Sequence, residues 1–281
     1  MGRATAEEIL EIASKLSAQS RIEILGMTHK AGASHVGSAL SIIDVLALLY
    51  SGQFDLLRDS PELTPNDTFI LSKGHAAAAI YAVLFLKGKI SRSDLDDYCA
   101  DGALLGGHVS HNNVSGVELS TGSLGHGLPY GVGIALAKKM KGQSGLVFVV
   151  ISDGECDEGT TWESALIANQ FDLGNLVVIV DRNGLQSLAS TEETIALEPL
   201  SEKWYSFGWN CRKIDGHNQS DLLEAIESTR NTEKPTCIIA ETTKGKGVSF
   251  MENTVKWHYK SPNLEEYQQA IEEIKGGSLE K

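Results

Sequence analysis

The stretch Leu146-Val-Phe-Val-Val-Ile-Ser-Asp-Gly-Glu155, together with Leu176-Val-Val-Ile-Val-Asp-Arg-Asn-Gly184, decides the fold of this chain. Each stretch begins with a continuous apolar run rich in Val and Ile and ends in a turn of Asp, Asn and Gly. Such runs are typical of strands that are buried on both faces of a parallel sheet. We predict a helix from about Glu158 to Phe171 between them, which completes a βαβ unit. The polar turns Ser152–Glu155 and Asp181–Gly184 should therefore lie side by side at the carboxyl edge of the sheet.

Segments on both sides extend this pattern. Asp67–Ser72 and Cys237–Ala240 are apolar runs that predict two further strands, and Thr5 with Glu8 forms a capping box at the start of a long helix. Further helices are predicted over residues 41–50, 76–86 and 127–137. The pattern predicts an α/β fold with a doubly wound, mostly parallel sheet covered by helices on both faces, as a single domain over residues 1–281.

Four polar segments each follow a predicted strand and are expected to gather on one rim of the sheet, where open α/β folds bind ligands. They are Lys73–His75, Ser152–Glu155, Asp181–Leu185 and Glu241–Gly247. The glycine-rich stretch Gly102–Gly133 is too long for a simple turn, and such loops tend to be functional. The last residues, Gly276–Lys281, are expected to form a frayed tail.

The composition and net charge of the chain limit the kinds of partner and the location that we expect for it. The chain of 281 residues carries a formal net charge of −13, which argues against nucleic acid or an anionic membrane as the main partner. Its four cysteines form no CxxC pair, so we expect reduced thiols. The sequence has no run of about 18 apolar residues and no apolar signal core, which predicts a cytoplasmic protein without a membrane span.

The two polar turns supply hard oxygen ligands. Asp153 and Asn183 are 30 residues apart, and a carboxylate, a side-chain amide and a backbone carbonyl together suit Mg²⁺. Gly154 would let a diphosphate approach the backbone at the start of the following helix. Asp, Asn and Gly also populate ordinary strand-end turns, so either motif alone is compatible with a purely structural role. The pair, after two buried strands, is far more specific.

SDGECDEG followed by VDRNGL resembles the thiamine diphosphate signature, in which a GDG turn precedes an Asn-containing turn. Other segments resemble transketolase in the same order along the chain, from about residue 10 to residue 265. They are HKAGASHVGSALS, DTFILSKGHAAAAIYAVL, GGHVSHNNVSGVELSTGSLGHGLPYGVGIALA, IDGHN and KGKGVSFMENTVKWH. The chain thus resembles the N-terminal subunit of a split transketolase. It departs from the common pattern at Ser152, in place of the first Gly of GDG, and at His126, where Gln is common.

This resemblance implies a thiamine diphosphate-binding fold and a set of site residues. The implied magnesium ligands are Asp153, Asn183 and the carbonyl of Leu185. The implied contacts to thiamine diphosphate come from His75, Gly122, Leu124, Gly154, Glu155, Asn183 and His258. The implied catalytic residues are His35 and His108, which would face the sugar, His258, and Glu158, which would join a carboxylate network at a subunit interface.

The resemblance also implies that this chain needs a partner. In the family, a glutamate of a second, pyrimidine-binding domain protonates the aminopyrimidine ring of the cofactor, and residues 1–281 contain no second set of strands to form that domain. We therefore expect a separate C-terminal transketolase subunit, a heterotetramer, and activity only in the complex. The implied reaction moves a two-carbon ketol unit from a ketose phosphate to an aldose phosphate.

Two alternatives use the same cofactor fold. The chain could be a subunit of a 2-oxo-acid decarboxylating dehydrogenase or of a deoxyxylulose-phosphate synthase, or it could be a non-catalytic cofactor-binding module. The HKAGASH segment and Trp257-His258 favour transketolase, and the retained Asp153, Asn183 and His75 argue against loss of activity. We interpret His29, His111 and His217 as structural, and Lys244–Gly247 as a flexible hinge near the cofactor.

Overall fold

The computed structural model describes residues 4–52, 54, 56–57, 67–230 and 232–277. Its centre is a sheet of five parallel strands in the order β1-β2-β3-β5-β4. The strands are β1 (Thr68–Leu71), β2 (Val147–Ser152), β3 (Leu176–Arg182), β4 (Asn210–Asp215) and β5 (Thr236–Glu241). The predicted parallel sheet is thereby confirmed. Strands β2 and β3, which are neighbours in the sheet, correspond to the two apolar runs that begin at Leu146 and Leu176.

Ten α-helices lie within the described residues. They are α1 (Ala6–Ala31), α2 (Val36–Leu49), α3 (Ala77–Leu86), α4 (Arg92–Asp96), α5 (Gly127–Met140), α6 (Gly159–Gln170), α7 (Thr191–Thr194), α8 (Leu200–Ser206), α9 (Gln219–Glu227) and α10 (Leu264–Gly277). The predicted capping box of Thr5 and Glu8 is formed at the start of α1. The predicted helix between the two polar turns is α6, and the predicted helix at 127–137 is α5.

Helices cover both faces of the sheet, as the doubly wound pattern predicts. Alternate strand residues such as Phe148 and Val150 join one apolar core with α1, α2, α3 and α9. The intervening residues, such as Val147 and Val149, join a second core with α5, α6 and α8. Because side chains alternate across a strand, every position of a central strand is buried, and this burial explains the continuous apolar runs in the sequence.

Strand β4 is an element that the sequence pattern did not predict. It lies at the edge of the sheet and pairs with β5 alone, and its residues alternate between buried and exposed. Its exposed positions Asn210, Lys213 and Asp215 are polar, which breaks the apolar run. The expected tail begins inside α10, since Gly276 and Gly277 are its last residues, and residues 278–281 lie outside the described part. Among the described residues, no helix combines the length and apolar character needed to cross a bilayer.

Candidate active site at the carboxyl edge of the sheet

The four polar segments converge, as predicted, on a cavity of about 60 Å³ at the carboxyl ends of the strands. The segment after β1 contributes His75, that after β2 contributes Asp153, that after β3 contributes Leu185, and that after β5 contributes Lys244. Segments from four strands meet because parallel strands end at the same edge of a sheet. The cavity is thus built by the topology and not by any local sequence motif.

Asp153 is 1% exposed and is held rigidly at the end of β2. Its carboxylate accepts hydrogen bonds from the backbone N–H of Gly154 at 2.9 Å and of Gly184 at 2.7 Å. Nη1 of Arg182 donates to it at 3.3 Å. Burial, followed by the nearby charge of Asp181, raises the pKa of the Asp153 carboxyl. A cation beside this carboxylate would favour its ionised form.

The turn after β3 orients two further oxygens. The Asn183 side chain donates through Nδ2 to Oδ2 of Asp181 at 3.2 Å, and its Oδ1 accepts from the N–H of Leu185 at 3.1 Å. Gly184 between them has φ +77°, a left-handed conformation that glycine adopts without strain. Both Asn183 and Leu185 line the cavity beside Asp153. The three implied metal ligands are therefore neighbours.

Lys244 is the main cavity residue that sequence reasoning missed. It is 1% exposed, and its Nζ lies 2.9 Å from Nδ1 of His258 and donates to the carbonyl of Leu185 at 3.1 Å. Burial, and then the charge of Lys73, lower the pKa of Lys244 to about 8. The segment 244–247, interpreted as a flexible hinge, is packed in the structure, where the N–H of Gly245 donates to the carbonyl of Gly37 at 3.0 Å. A lysine shortly after a buried strand was the available signal.

A second buried lysine lies behind the cavity and is neutralised. Lys73 forms an ion pair with Asp181, and both side chains are fully buried. Ser41 Oγ donates to the same carboxylate at 2.6 Å, and Thr242 also donates to it. Although burial opposes ionisation, the Lys73 charge lowers the pKa of Asp181. Of these two lysines, Lys244 is therefore the one whose charge is available to an anion in the cavity.

Four predicted histidines form one cluster, and two of them, His75 and His258, line the cavity. The ring of His35 lies 5.4 Å from that of His75, 5.6 Å from that of His108 and 5.0 Å from that of His258, centroid to centroid. His35 has φ 72°, and its N–H donates to the carbonyl of His258 at 2.7 Å. A left-handed conformation at a residue other than glycine is strained, and such strain is typical of functional positions.

Three of these histidines are neutral at physiological pH. Burial, then the charges of His108 and Lys244, lower the pKa of His35 to about 4. Burial, then Lys244, lower the pKa of His258 to about 3, and burial with Lys73 lowers the pKa of His75 well below its usual value. The cluster can therefore both donate and accept hydrogen bonds, which suits the hydroxyl and carbonyl groups of a sugar.

The loop before α5 brings further predicted residues to the site. Leu124 lines the cavity, and Gly122 lies against the ring of His108, where an added Cβ would be 3.5 Å from Cδ2. Glu155, predicted as a cofactor contact, is fully buried and holds this loop instead. Its carboxylate accepts from the N–H of Gly125 at 2.8 Å, from the N–H of Ser152 at 3.3 Å and from the hydroxyl of Ser72. We therefore expect Glu155 to act indirectly.

Glu158 lies outside the cavity. It is exposed and immediately precedes α6, without a side-chain capping bond. The three histidines interpreted as structural have contacts of that kind: His29 stacks on Tyr267, His111 bonds to Ser120, and His217 bonds to Asp44. Within the described ranges, no group of three or more His, Cys, Asp or Glu side chains is arranged to hold a metal ion. The implied magnesium ligands Asp153, Asn183 and Leu185 include a single carboxylate. Their other two oxygens come from an amide side chain and from a backbone carbonyl.

Comparison with known proteins agrees with this geometry. Residues 12–275 match the family model described as transketolase, thiamine diphosphate binding domain. A subunit of the apulose-4-phosphate transketolase of Phocaeicola vulgatus is 42% identical over 271 residues, which cover 95% of this chain and 94% of that protein. The 6-deoxy-6-sulfo-D-fructose transketolase subunit SqwG of a Clostridium species is 38% identical over 246 residues, covering 87% of this chain and 90% of that protein.

Longer transketolases match as well. The crystal structure of transketolase from Campylobacter jejuni has a TM-score of 0.87 and 27% identity, over 97% of this chain and 43% of that chain. Human transketolase is 32% identical over 255 residues, which cover 90% of this chain and 40% of that protein. This chain thus spans about two fifths of the length of these longer proteins. From the fold, the cavity and these similarities, the chain belongs to the transketolase family and corresponds to its thiamine diphosphate binding domain.

Proposed function

We propose that this chain is the N-terminal subunit of a transketolase that depends on thiamine diphosphate and magnesium. It would transfer a two-carbon ketol unit from a ketose phosphate to an aldose phosphate, together with a C-terminal subunit that carries the pyrimidine-binding domain. The observation that carries this proposal is the convergence of Asp153, Asn183 and Lys244 on one cavity at the carboxyl edge of the sheet.

The residues present fit the diphosphate and its metal. Asp153, Asn183 and the carbonyl of Leu185 would hold the magnesium ion through hard oxygen atoms. The Leu185 carbonyl accepts from the ammonium of Lys244, so its oxygen faces the side chains of the cavity. An added Cβ on Gly154 would lie 3.3 Å from the side chain of Gln186, so a larger residue at position 154 would crowd the wall of the cavity. When bound, thiamine diphosphate supplies the carbanion chemistry of the reaction.

The charge balance of the cavity suits a diphosphate. Lys244 would face the anion, with His75 and His258 as neutral hydrogen-bonding neighbours. Further out, His35 and His108 would bind the sugar, because neutral imidazoles can donate to a carbonyl oxygen and accept from a hydroxyl. We expect these two residues to position the substrate and to transfer protons at its oxygen atoms.

Helices α5 and α6 offer a surface for other subunits. They pack on each other and leave large apolar side chains exposed, with Tyr130 at 49%, Leu166 at 57% and Ile167 at 47%. Exposed apolar patches on soluble domains mark interaction sites. Glu158 is exposed directly before α6, which is compatible with its proposed interface role. We propose that the surface of α5 and α6 contacts other subunits of a heterotetramer.

The similar subunits widen the range of donor sugars. One is named for apulose-4-phosphate and another for 6-deoxy-6-sulfo-D-fructose, so branched and sulfonated ketoses are candidate donors beside the common ketose phosphates. The residues that bind the phosphate or sulfonate group of the donor sugar would lie on the partner protein.

The test is a ketol-transfer assay with the purified chain, the purified partner and the mixture, at saturating magnesium and thiamine diphosphate. The donors are a pentulose phosphate, a branched ketose phosphate and a sulfonated ketose, and a 2-oxo acid is included as a control substrate. We expect turnover with a ketose donor only in the mixture. Turnover by this chain alone would overturn the need for a partner, and turnover of the 2-oxo acid alone would overturn the transketolase assignment.

A further inference from the structure

We propose that Arg21, Asp44 and His217 form a network that positions Lys244 from outside the cavity, and that His217 is a positioning residue of the cofactor site. This inference rests on the proposed function for the role of Lys244, but the network itself is independent of that role. The three residues come from α1, from α2 and from the turn between β4 and α9, and none of them lines the cavity.

The first link of the network is His217, which joins two groups through its two ring nitrogens. The N–H of Thr243 donates to Nε2 at 2.7 Å, so Nε2 is an acceptor. The proton of the neutral ring is therefore on Nδ1, which lies 2.7 Å from Oδ2 of Asp44 and donates to it. The ring thus links the carboxylate of Asp44 to the backbone of Thr243 by one hydrogen bond on each side.

Asp44 is fixed in turn by Arg21. Nη2 and Nη1 of Arg21 donate to the two carboxylate oxygens at 2.6 Å and 3.0 Å, and Ser17 also donates to the carboxylate. Arg21 is 9% exposed and Asp44 is 7% exposed. A buried bidentate pair of this kind adds little net stability, but its geometry is tightly defined. We therefore expect the network to fix the position of the segment that it contacts rather than to add to the free energy of unfolding.

A second link attaches the same segment at its other end. Nε of Arg21 donates to the carbonyl of Lys246 at 3.2 Å. The network therefore holds Thr243 through its N–H and Lys246 through its carbonyl, and Lys244 lies between these two points. The Lys244 side chain points away from the network into the cavity, where Nζ contacts Leu185 and His258.

The backbone between Thr243 and Lys246 is closely packed at Gly245, so we expect it to keep the conformation that the two links impose. Gly245 has φ +83°, and an added Cβ would lie 2.4 Å from the carbonyl oxygen of Met251. On the outer side, Arg21, Asp44, His217 and Lys246 border a cleft of about 720 Å³. A truncated side chain at 217 therefore leaves space that water can fill, while the segment loses its hydrogen bond at Thr243.

The experiment compares His217→Ala with His217→Gln and with His29→Ala as a matched control. His29 is also half-buried and bonds to a backbone carbonyl, but this is the carbonyl of Pro262 at 2.8 Å, and its ring stacks on Tyr267. The glutamine amide can accept from the N–H of Thr243 and donate to Asp44, so this variant should retain part of the effect even if the alanine variant folds poorly.

Two readouts are measured on the full chain. Hydrogen exchange resolved by mass spectrometry reports on residues 242–247 and on β5 without any cofactor. Calorimetry reports the dissociation constant for thiamine diphosphate at saturating magnesium, in the presence of the partner protein. For His217→Ala we expect faster exchange at 242–247, unchanged exchange in β5, and an affinity about tenfold weaker, which is ~1.4 kcal/mol. His217→Gln should lie between this variant and wild type, and His29→Ala should match wild type.

Wild-type exchange at 242–247 in the His217 variants would overturn the network. Faster exchange with unchanged cofactor affinity would overturn its positioning role for the site. If wild type itself binds no thiamine diphosphate, then the proposed function fails, while the exchange measurement still decides whether His217 holds the segment.

Discussion

Replacing Lys244 by methionine removes the ammonium group from the cavity while it keeps most of the volume of the side chain. The ammonium lies among the Leu185 carbonyl, His258 and the two buried carboxylates Asp153 and Asp181, which raise its pKa against the effect of burial. Because Asp181 is already paired with Lys73, an incoming diphosphate would be a strong new partner for Lys244. We therefore expect Lys244→Met to weaken cofactor binding directly.

The expected size follows from the contacts. A hydrogen bond to a charged group contributes about 1.5–3 kcal/mol, so the dissociation constant for thiamine diphosphate should rise between about tenfold and about 150-fold. The free energy of unfolding of the chain, in contrast, should increase in Lys244→Met. The pKa of Lys244 is lowered from 10.5 to about 8, which corresponds to as much as about 3 kcal/mol of destabilisation at neutral pH. Methionine removes this cost.

The sign of the pH dependence provides an independent check. Since the folded pKa lies below the unfolded one, the cost is fully present below pH 8 and disappears as the pH rises from about 8 towards 10.5. Wild type should therefore gain stability relative to Lys244→Met over this pH range. Cofactor affinity should fall over the same range in wild type only, because deprotonation removes the charge that attracts the diphosphate.

The assay combines calorimetry of thiamine diphosphate binding to the complex, at saturating magnesium, with urea unfolding of the chain at several pH values. Lys246→Met is the matched control, because Lys246 lies two residues away with its Nζ 3.7 Å from Glu252 and borders the outer cleft. It should leave affinity and its pH dependence unchanged. Wild-type affinity in Lys244→Met, or an equal loss in both variants, would refute the reasoning.

Three further changes test other parts of the site and the fold. Asp153→Ala should abolish magnesium-supported retention of thiamine diphosphate, measured by calorimetry, and should also cost about 1–3 kcal/mol in urea unfolding because the part-buried N–H groups of Gly154 and Gly184 lose their acceptor; wild-type affinity would contradict the metal assignment. His35→Ala should lower kcat for ketol transfer far more than cofactor affinity, and a selective loss of affinity would contradict a substrate role. Gly127→Ala should destabilise the chain by about 1–3 kcal/mol in thermal unfolding, because the new Cβ would lie 2.4 Å from Ser72 Oγ. Gly133→Ala in the same helix has no atom within 4 Å and should be neutral or stabilising by up to about 1 kcal/mol; equal effects of the two would contradict the packing argument.

The sequence by itself determined the central sheet and the location of the site. Strands β1, β2, β3 and β5 are largely buried on both faces, so burial requires an apolar residue at each central position and leaves a pattern that can be recognised without a structure. The polar turns that follow them could be assigned to one rim, because parallel strands end at one edge. The capping box of Thr5 and Glu8 was equally local, since both partners lie within one helical turn.

Only the tertiary structure decided which side chains act together. Edge strand β4 is half exposed, and its pairing with β5 rather than an apolar run identifies it as a strand. Glu155 looked like a cofactor contact but is turned inward to the Gly125 loop, 30 residues away in the chain. Lys244 looked like part of a hinge, yet its direction into the cavity depends on hydrogen bonds from remote elements. The bond between His217 and Asp44 joins residues 173 positions apart, and no local pattern can encode such a contact, because its geometry exists only once the helices have packed on the sheet.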